Sequence, residues 1–187
     1  CGLAAIKAYQ PSASDLVLLV DGDSCVPIDI VQRAAPFFAL NDKVGALTTD
    51  EVCEPRGGKL FKDWYALRFA QRQMMMCSMG LSRRVLTLTG RMSVFRGDLA
   101  TDPGFIQMVQ HDEIHHWRLG EVKFLTGDDK STWFWLLQAG YHMLYLPDIR
   151  SIALETEPRP RFLASAQILM TRWFGNMLRN NARAIKL

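Results

Sequence analysis

Leu16-Val17-Leu18-Leu19-Val20 runs directly into Asp21-Gly22-Asp23-Ser24. Five consecutive Val and Leu residues predict a strand buried on both faces, as in a sheet with helices on each side. In open sheets of that kind, ligands bind just beyond the carboxyl ends of the strands. Two carboxylates at i and i+2 can grip a divalent cation there through oxygen, and the cation can hold a diphosphate. Gly22 leaves the approach free of a side chain. Asp21-Gly22 is also a strong turn signal, so the stretch alone fits a metal site or a plain turn.

On the N-terminal side, residues 2–9 read as the end of a helix and Pro11-Ser12-Ala13-Ser14 as a loop. On the other side, Pro27 suits the first turn of a helix running to about Leu40, which Pro36 is expected to kink or end. Val44-Gly45-Ala46-Leu47-Thr48 reads as a second buried strand, and this alternation predicts a largely parallel sheet. Glu54-Pro55-Arg56-Gly57-Gly58 reads as a loop before a long helix from about Leu60 to Met79, whose Met74-Met75-Met76 run suits adaptable packing. Thr87 to Phe95 looks extended, with a break at Gly90. There Arg91 and Arg96 either flank a ligand or belong to an ordinary turn and strand.

His111, His115 and His116 cluster with Asp112 and Glu113. The order H-x-E-x-H is not the H-E-x-x-H of zinc proteases, so the cluster reads as a solvated polar loop or helix. Val122-Lys123-Phe124-Leu125 reads as a short strand leading through Thr126-Gly127-Asp128-Asp129-Lys130 into a helix that Gly140 stops. One acid at a helix start is a sufficient cap, and two adjacent acids with a lysine exceed that need. His142 to Leu146 reads as a strand ended by Pro147, with a loop holding Glu155 and Glu157 after it. From Phe162 onward, Phe162, Ala166, Leu169, Trp173 and Met177 recur at helical spacing, with Arg172, Arg179, Arg183 and Lys186 on the other side. A basic amphipathic helix of this kind lies along a membrane surface or is an ordinary surface helix.

A chain of 187 residues, 49% hydrophobic, is enough for one domain with a sizeable core. A net charge of +3 permits an anionic substrate without calling for nucleic acid. No apolar run approaches the roughly 18 residues that would cross a bilayer. The chain begins with Cys rather than Met, which points to a fragment or processed chain, and no charged-then-apolar stretch reads as a signal peptide. Cys1, Cys25, Cys53 and Cys77 form no C-x-x-C pair, so reduced and mostly buried thiols are expected.

Three features thus occur in order: Asp21 and Asp23 after a strand, Asp128 and Asp129 opening a helix, and Arg172-Trp173 on a late helix. Together they resemble the family 2 glycosyltransferases of the GT-A fold, especially the processive membrane synthases of cellulose, chitin and hyaluronan. The resemblance implies an α/β fold, with a GT-A-like mostly parallel sheet flanked by helices and incomplete at both ends. The nucleotide-binding first strand and the transmembrane helices would then lie outside residues 1–187. It also implies that Asp21 and Asp23 are the D-x-D motif, holding Mg²⁺ or Mn²⁺ and the donor diphosphate. Gly127-Asp128-Asp129 matches the later acidic motif, making Asp129 the catalytic base beside Asp128. Arg172 falls on the diphosphate side and Trp173 on the acceptor side. The family's Gln before Arg-Trp would fall at Leu169, and Gln167 is out of register. Lys130 is assigned to an acidic sugar or phosphate, and Arg91 to the acceptor.

Residues 126–134 and 172–179 are most similar to the alginate-polymerising branch of that family. This implies inverting, metal-dependent transfer from GDP-mannuronic acid to a growing polysaccharide. It also implies a domain on the cytoplasmic side of the bacterial inner membrane, in an envelope polymerisation and export complex, with no nucleic acid as partner. Three alternatives remain. One is a related synthase using a UDP-sugar. Another is a Mg²⁺-dependent phosphatase of the haloacid dehalogenase type, with Thr48 or Thr49 as its second-motif hydroxyl. The last is a sugar- or nucleotide-binding module without turnover.

Overall fold

The computed structural model describes residues 2–118, 120–123, 128–185 and 187. In chain order the elements are α1 (Gly2–Lys7), β1 (Leu16–Val20), β2 (Ser24–Cys25), α2 (Ile30–Ala39), β3 (Val44–Arg56), α3 (Lys59–Gly80), β4 (Met92–Arg96), α4 (Gly97–Ala100), α5 (Pro103–Gln110), β5 (Glu113–His116), β6 (Gly120–Lys123), α6 (Asp128–Gln138), β7 (His142–Thr156) and α7 (Phe162–Ala184). The main sheet has the order β1-β4-β3-β7-β2, and β5 and β6 form a separate hairpin.

The α/β class with flanking helices is the one expected, but the sheet is mixed. β3 and β7 pair in parallel, while β4 runs antiparallel to both β1 and β3, and β2 antiparallel to β7. β1, β3 and β7 still point the same way, because β4 is inserted in reverse between β1 and β3. Their carboxyl ends therefore share one edge, where strand-end ligand sites form.

β1 is an edge strand in which only Val17 is buried and Val20 is exposed, so the full two-sided burial expected of it belongs to the inner strands, whose side chains alternate between two cores. Val17, Ala46, Phe95, Met143 and Tyr145 face one core, completed by Phe105, Ile106, Trp133 and Phe134 of α5 and α6. Leu16, Leu18, Leu47, Met92, Val94, Leu144 and Leu146 face the other, completed by Ile30, Ala34 and Phe38 of α2. A third, aromatic cluster joins α3 to α7.

Several expectations are corrected. Residues 54–56 are strand rather than loop, because β3 pairs with β7 as far as Arg56 and Thr156. Pro147 does not end β7: Thr49 pairs with Leu146 and Asp50 with Arg150, so Pro147, Asp148 and Ile149 are accommodated as a bulge. α2 continues through Pro36, with the Leu40 amide bonded to the Pro36 carbonyl at 3.0 Å. The histidine-rich segment is a strand, as β5 pairs with β6. The four residues 124–127, including Gly127 and half of the expected strand 122–125, lie outside the described residues. Cys1 lies outside the described residues; of the described cysteines, Cys25 and Cys77 are exposed and Cys53 is half-buried, so these thiols are free but not mostly buried.

Candidate functional site

At the carboxyl end of β1 the structure opens a cleft of about 280 Å³. Asp21 enters it just past the strand, Thr89 and Gly90 from the turn before β4, Ser93 from β4 itself, and Asp129 and Thr132 from the first turns of α6. The fold thus brings one acid of each pair to the same space. Asp21 is held there by its backbone. Its amide donates to the Arg91 carbonyl at 3.3 Å, and its own carbonyl accepts from the Ser24 amide at 3.0 Å. The Asp23 carbonyl accepts from the Leu154 amide at 3.2 Å, tying the acidic turn to β7. Gly90 permits the close approach: a Cβ there would meet Asp21 Oδ2 at 3.3 Å.

A set of hydroxyls shapes the cleft floor. Thr48 and Thr89 both donate to the Met92 carbonyl, at 2.8 and 3.2 Å, and Ser93 donates to the Thr89 carbonyl at 2.8 Å. α6 is anchored from the other side. Lys130 Nζ donates to the Leu86 carbonyl at 2.8 Å, and Trp133 Nε1 to the Val85 carbonyl at 2.7 Å. Burial pushes the Lys130 ammonium down to about 8, opposed in part by the neighbouring Asp129 charge. Lys130 is buried and does not line the cleft, so its ammonium holds the 85–88 segment in this structure. Asp128 opens α6.

Arg91 contributes its backbone to the Asp21 turn and sends its side chain elsewhere. The guanidinium pairs with Glu51 at 3.1 Å and closely with Glu155, and lies 5.3 Å from the Phe69 ring centre. Glu51 is fully enclosed and also pairs with Arg72 at 3.3 Å. Breaking a buried pair of this kind leaves an uncompensated charge, which is more costly than the pair is stabilising.

Arg172 and Trp173 are not brought to this cleft. Arg172 is exposed on α7. Trp173 packs between helices, stacked on Trp64 at 6.2 Å, edge-on to Tyr65 at 5.9 Å, with the Arg68 guanidinium 4.1 Å from its ring centre. Leu169, where the resemblance placed a glutamine, is buried against Phe61 and Tyr65.

The oxygen chemistry of the cleft fits a hard divalent cation. Asp21 and Asp129 are carboxylates lining one space, and Mg²⁺ is commonly held by one or two carboxylates with substrate phosphates completing its shell. Among the described residues no group of three His, Cys, Asp or Glu side chains forms a closed cage.

Sequence reasoning missed Thr89, Ser93 and Thr132 as cleft residues, since lone hydroxyls carry no pattern. It also missed α5, although Asp102-Pro103 is a start signal. Asp102 Oδ1 accepts from the amides of Gly104 at 2.7 Å and Phe105 at 3.2 Å.

The sequence matches the family described as glycosyltransferase like family 2 over residues 3–176. Over 186 residues, the whole of this chain, it is 50% identical to the glycosyltransferase alg8 of Pseudomonas syringae pv. tomato. It is 45% identical over the same length to the glycosyltransferase alg8 of Azotobacter vinelandii. The chain spans 38% of the length of each of these relatives. The family match removes the phosphatase alternative.

Proposed function

The chain belongs to family 2 of the glycosyltransferases, and from that premise we propose that it forms part of the catalytic domain of an alginate-polymerising synthase. The reaction is inverting transfer of a mannuronosyl unit from GDP-mannuronic acid to a polysaccharide hydroxyl. The observation that carries this reading is the shared cleft of Asp21 and Asp129. The likeness to the two relatives supports the choice of polymer.

In this mechanism Asp129 takes the proton of the acceptor hydroxyl as its oxygen bonds to the anomeric carbon. The bond to the diphosphate breaks and GDP departs. Asp21, with Asp23 beside it, would hold Mg²⁺ or Mn²⁺, which supplies charge stabilisation to the leaving diphosphate. Thr89, Ser93 and Thr132 offer hydroxyls for orientation. Exposed Arg172 is assigned to the polymer and diphosphate side in the full protein, while Trp173 supports that helix by packing and Arg91 holds the Asp21 turn through its backbone carbonyl. No helix among the described residues is long and apolar enough to cross a membrane. The placement at the inner membrane, in an envelope complex, therefore rests on the remainder of the synthase.

The test is binding of GDP-mannuronic acid, GDP-mannose and UDP-sugars to the full-length protein with and without Mg²⁺, alongside Asp21→Ala and Asp23→Ala. Mg²⁺-dependent binding of GDP-mannuronic acid, weakened at least tenfold in Asp21→Ala, is the expected result. A preference for UDP-sugars overturns the donor, and binding without turnover in the intact protein overturns the enzyme reading.

A further inference from the structure

The first turn of α6 points three consecutive side chains in three directions, as about 100° per residue requires. Asp129 lines the cleft. Lys130 reaches the Leu86 carbonyl at 2.8 Å. Ser131 turns inward and donates to Asp112 Oδ2 at 2.5 Å. Asp112, at the junction of α5 and β5, has a side chain only 4% exposed. Its other oxygen accepts from Arg183 at 2.7 Å, in the last turn of α7. The same Arg183 guanidinium sits 4.1 Å from the centre of the Phe134 ring, again on α6, and donates to the Asn180 side-chain Oδ1 at 3.2 Å. Arg183 is thus not the solvated helix-face charge expected from spacing alone.

One buried carboxylate therefore holds the helix that carries Asp129 and the end of α7 that follows Arg172-Trp173. A charge-assisted bond made in a low-dielectric setting is short and directional. Loss of the Ser131 bond removes one of the restraints on the first turn of α6, beside those of Lys130 and Trp133, and so loosens the turn that carries Asp129.

We propose that Asp112 is a positioning residue for transfer, setting the pose of Asp129 through Ser131 and coupling it to α7 through Arg183. This rests on the reading of Asp129 as the base. Asp112 touches no reacting atom in this scheme. Its effect is on the turnover step rather than on donor binding, because its bonds run to Ser131 of α6 and Arg183 of α7.

The experiment uses the full-length synthase in membranes, with variants Ser131→Ala, Ser131→Thr, Asp112→Asn and Asp129→Asn. Two quantities are read: kcat against donor KM with GDP-mannuronic acid, and amide hydrogen exchange in residues 128–138. Ser131→Ala and Asp112→Asn are expected to lower kcat by about 10- to 100-fold, the scale of a misplaced catalytic group. Donor KM stays within about twofold, and exchange rises in α6 but not in β1. Ser131→Thr, which keeps the hydroxyl, restores most of kcat. Unchanged α6 exchange in both variants overturns the proposal whatever the donor. So does a raised KM at normal kcat. Normal turnover in Asp129→Asn overturns the base assignment instead, and it does so independently of the exchange result.

Discussion

At the end of β1, Asp21 and Asp129 face about 280 Å³ of open cleft, while between α3 and α7 the half-buried Trp173 packs against Trp64, Tyr65 and Arg68. Both regions stood out in the sequence as paired, chemistry-bearing residues. The first is left open by the fold and the second is filled. The difference lies in what surrounds each pair. β1 ends at the cleft and the turn opposite narrows to glycine, so carboxylates stay accessible. Two long helices meet at Trp173, and a large ring there contributes through area and ring geometry. A motif residue can therefore hold a site together without lining it.

The largest test of this contrast sets Asp129→Asn against Trp173→Ala. The first is expected to cut turnover by about 10²- to 10⁴-fold, the usual contribution of a general base, with thermal stability and donor binding preserved. The second is expected to lower stability by about 2 kcal/mol, below the cost for a fully buried Trp because Trp173 is only half-buried. Denaturant unfolding and turnover assays on the same preparations separate the two. A stable Trp173→Ala protein that has lost polymer binding would return that residue to the site.

A smaller effect concerns Lys130, which the sequence assigned to the ligand and the structure turns inward. Its folded-state value of about 8 lies below the ordinary 10.5. Between those two pH values the unfolded chain keeps a proton that the folded chain has released. Stability therefore rises with pH across the window, and the full penalty of charging a buried ammonium is present below it. Lys130→Met should remove this dependence, a difference on the order of 1–3 kcal/mol in thermal or denaturant unfolding followed from pH 7 to 11. An identical pH slope in the variant would show the ammonium to be solvated.

The smallest expected change is at Gly90. An added Cβ would lie 3.3 Å from Asp21 Oδ2, so the carboxylate must yield by a few tenths of an ångström. Gly90→Ala should weaken Mg²⁺-dependent donor binding by about threefold to tenfold, roughly 1 kcal/mol, with little change in folding. Full affinity would mean that Asp21 has room to adjust.

Much of this protein was legible from local pattern. The apolar run of β1, the helical spacing of α3 and α7, and the acids at Asp21 and Asp129 are properties of neighbouring residues, and backbone geometry converts them directly into elements. The family resemblance rested on those same short stretches. What the tertiary structure decided is everything that depends on partners distant in the chain. It reversed β4 between β1 and β3, extended β3 and β7 past a proline through mutual pairing, and turned Lys130 and Arg183 inward. It also joined Asp112 to Ser131 and Arg183. The physical reason is the same in each case. Strand direction, burial and charge pairing are settled by which surfaces meet, and a lone Asp or Ser gives no periodic signal of the partner it will find.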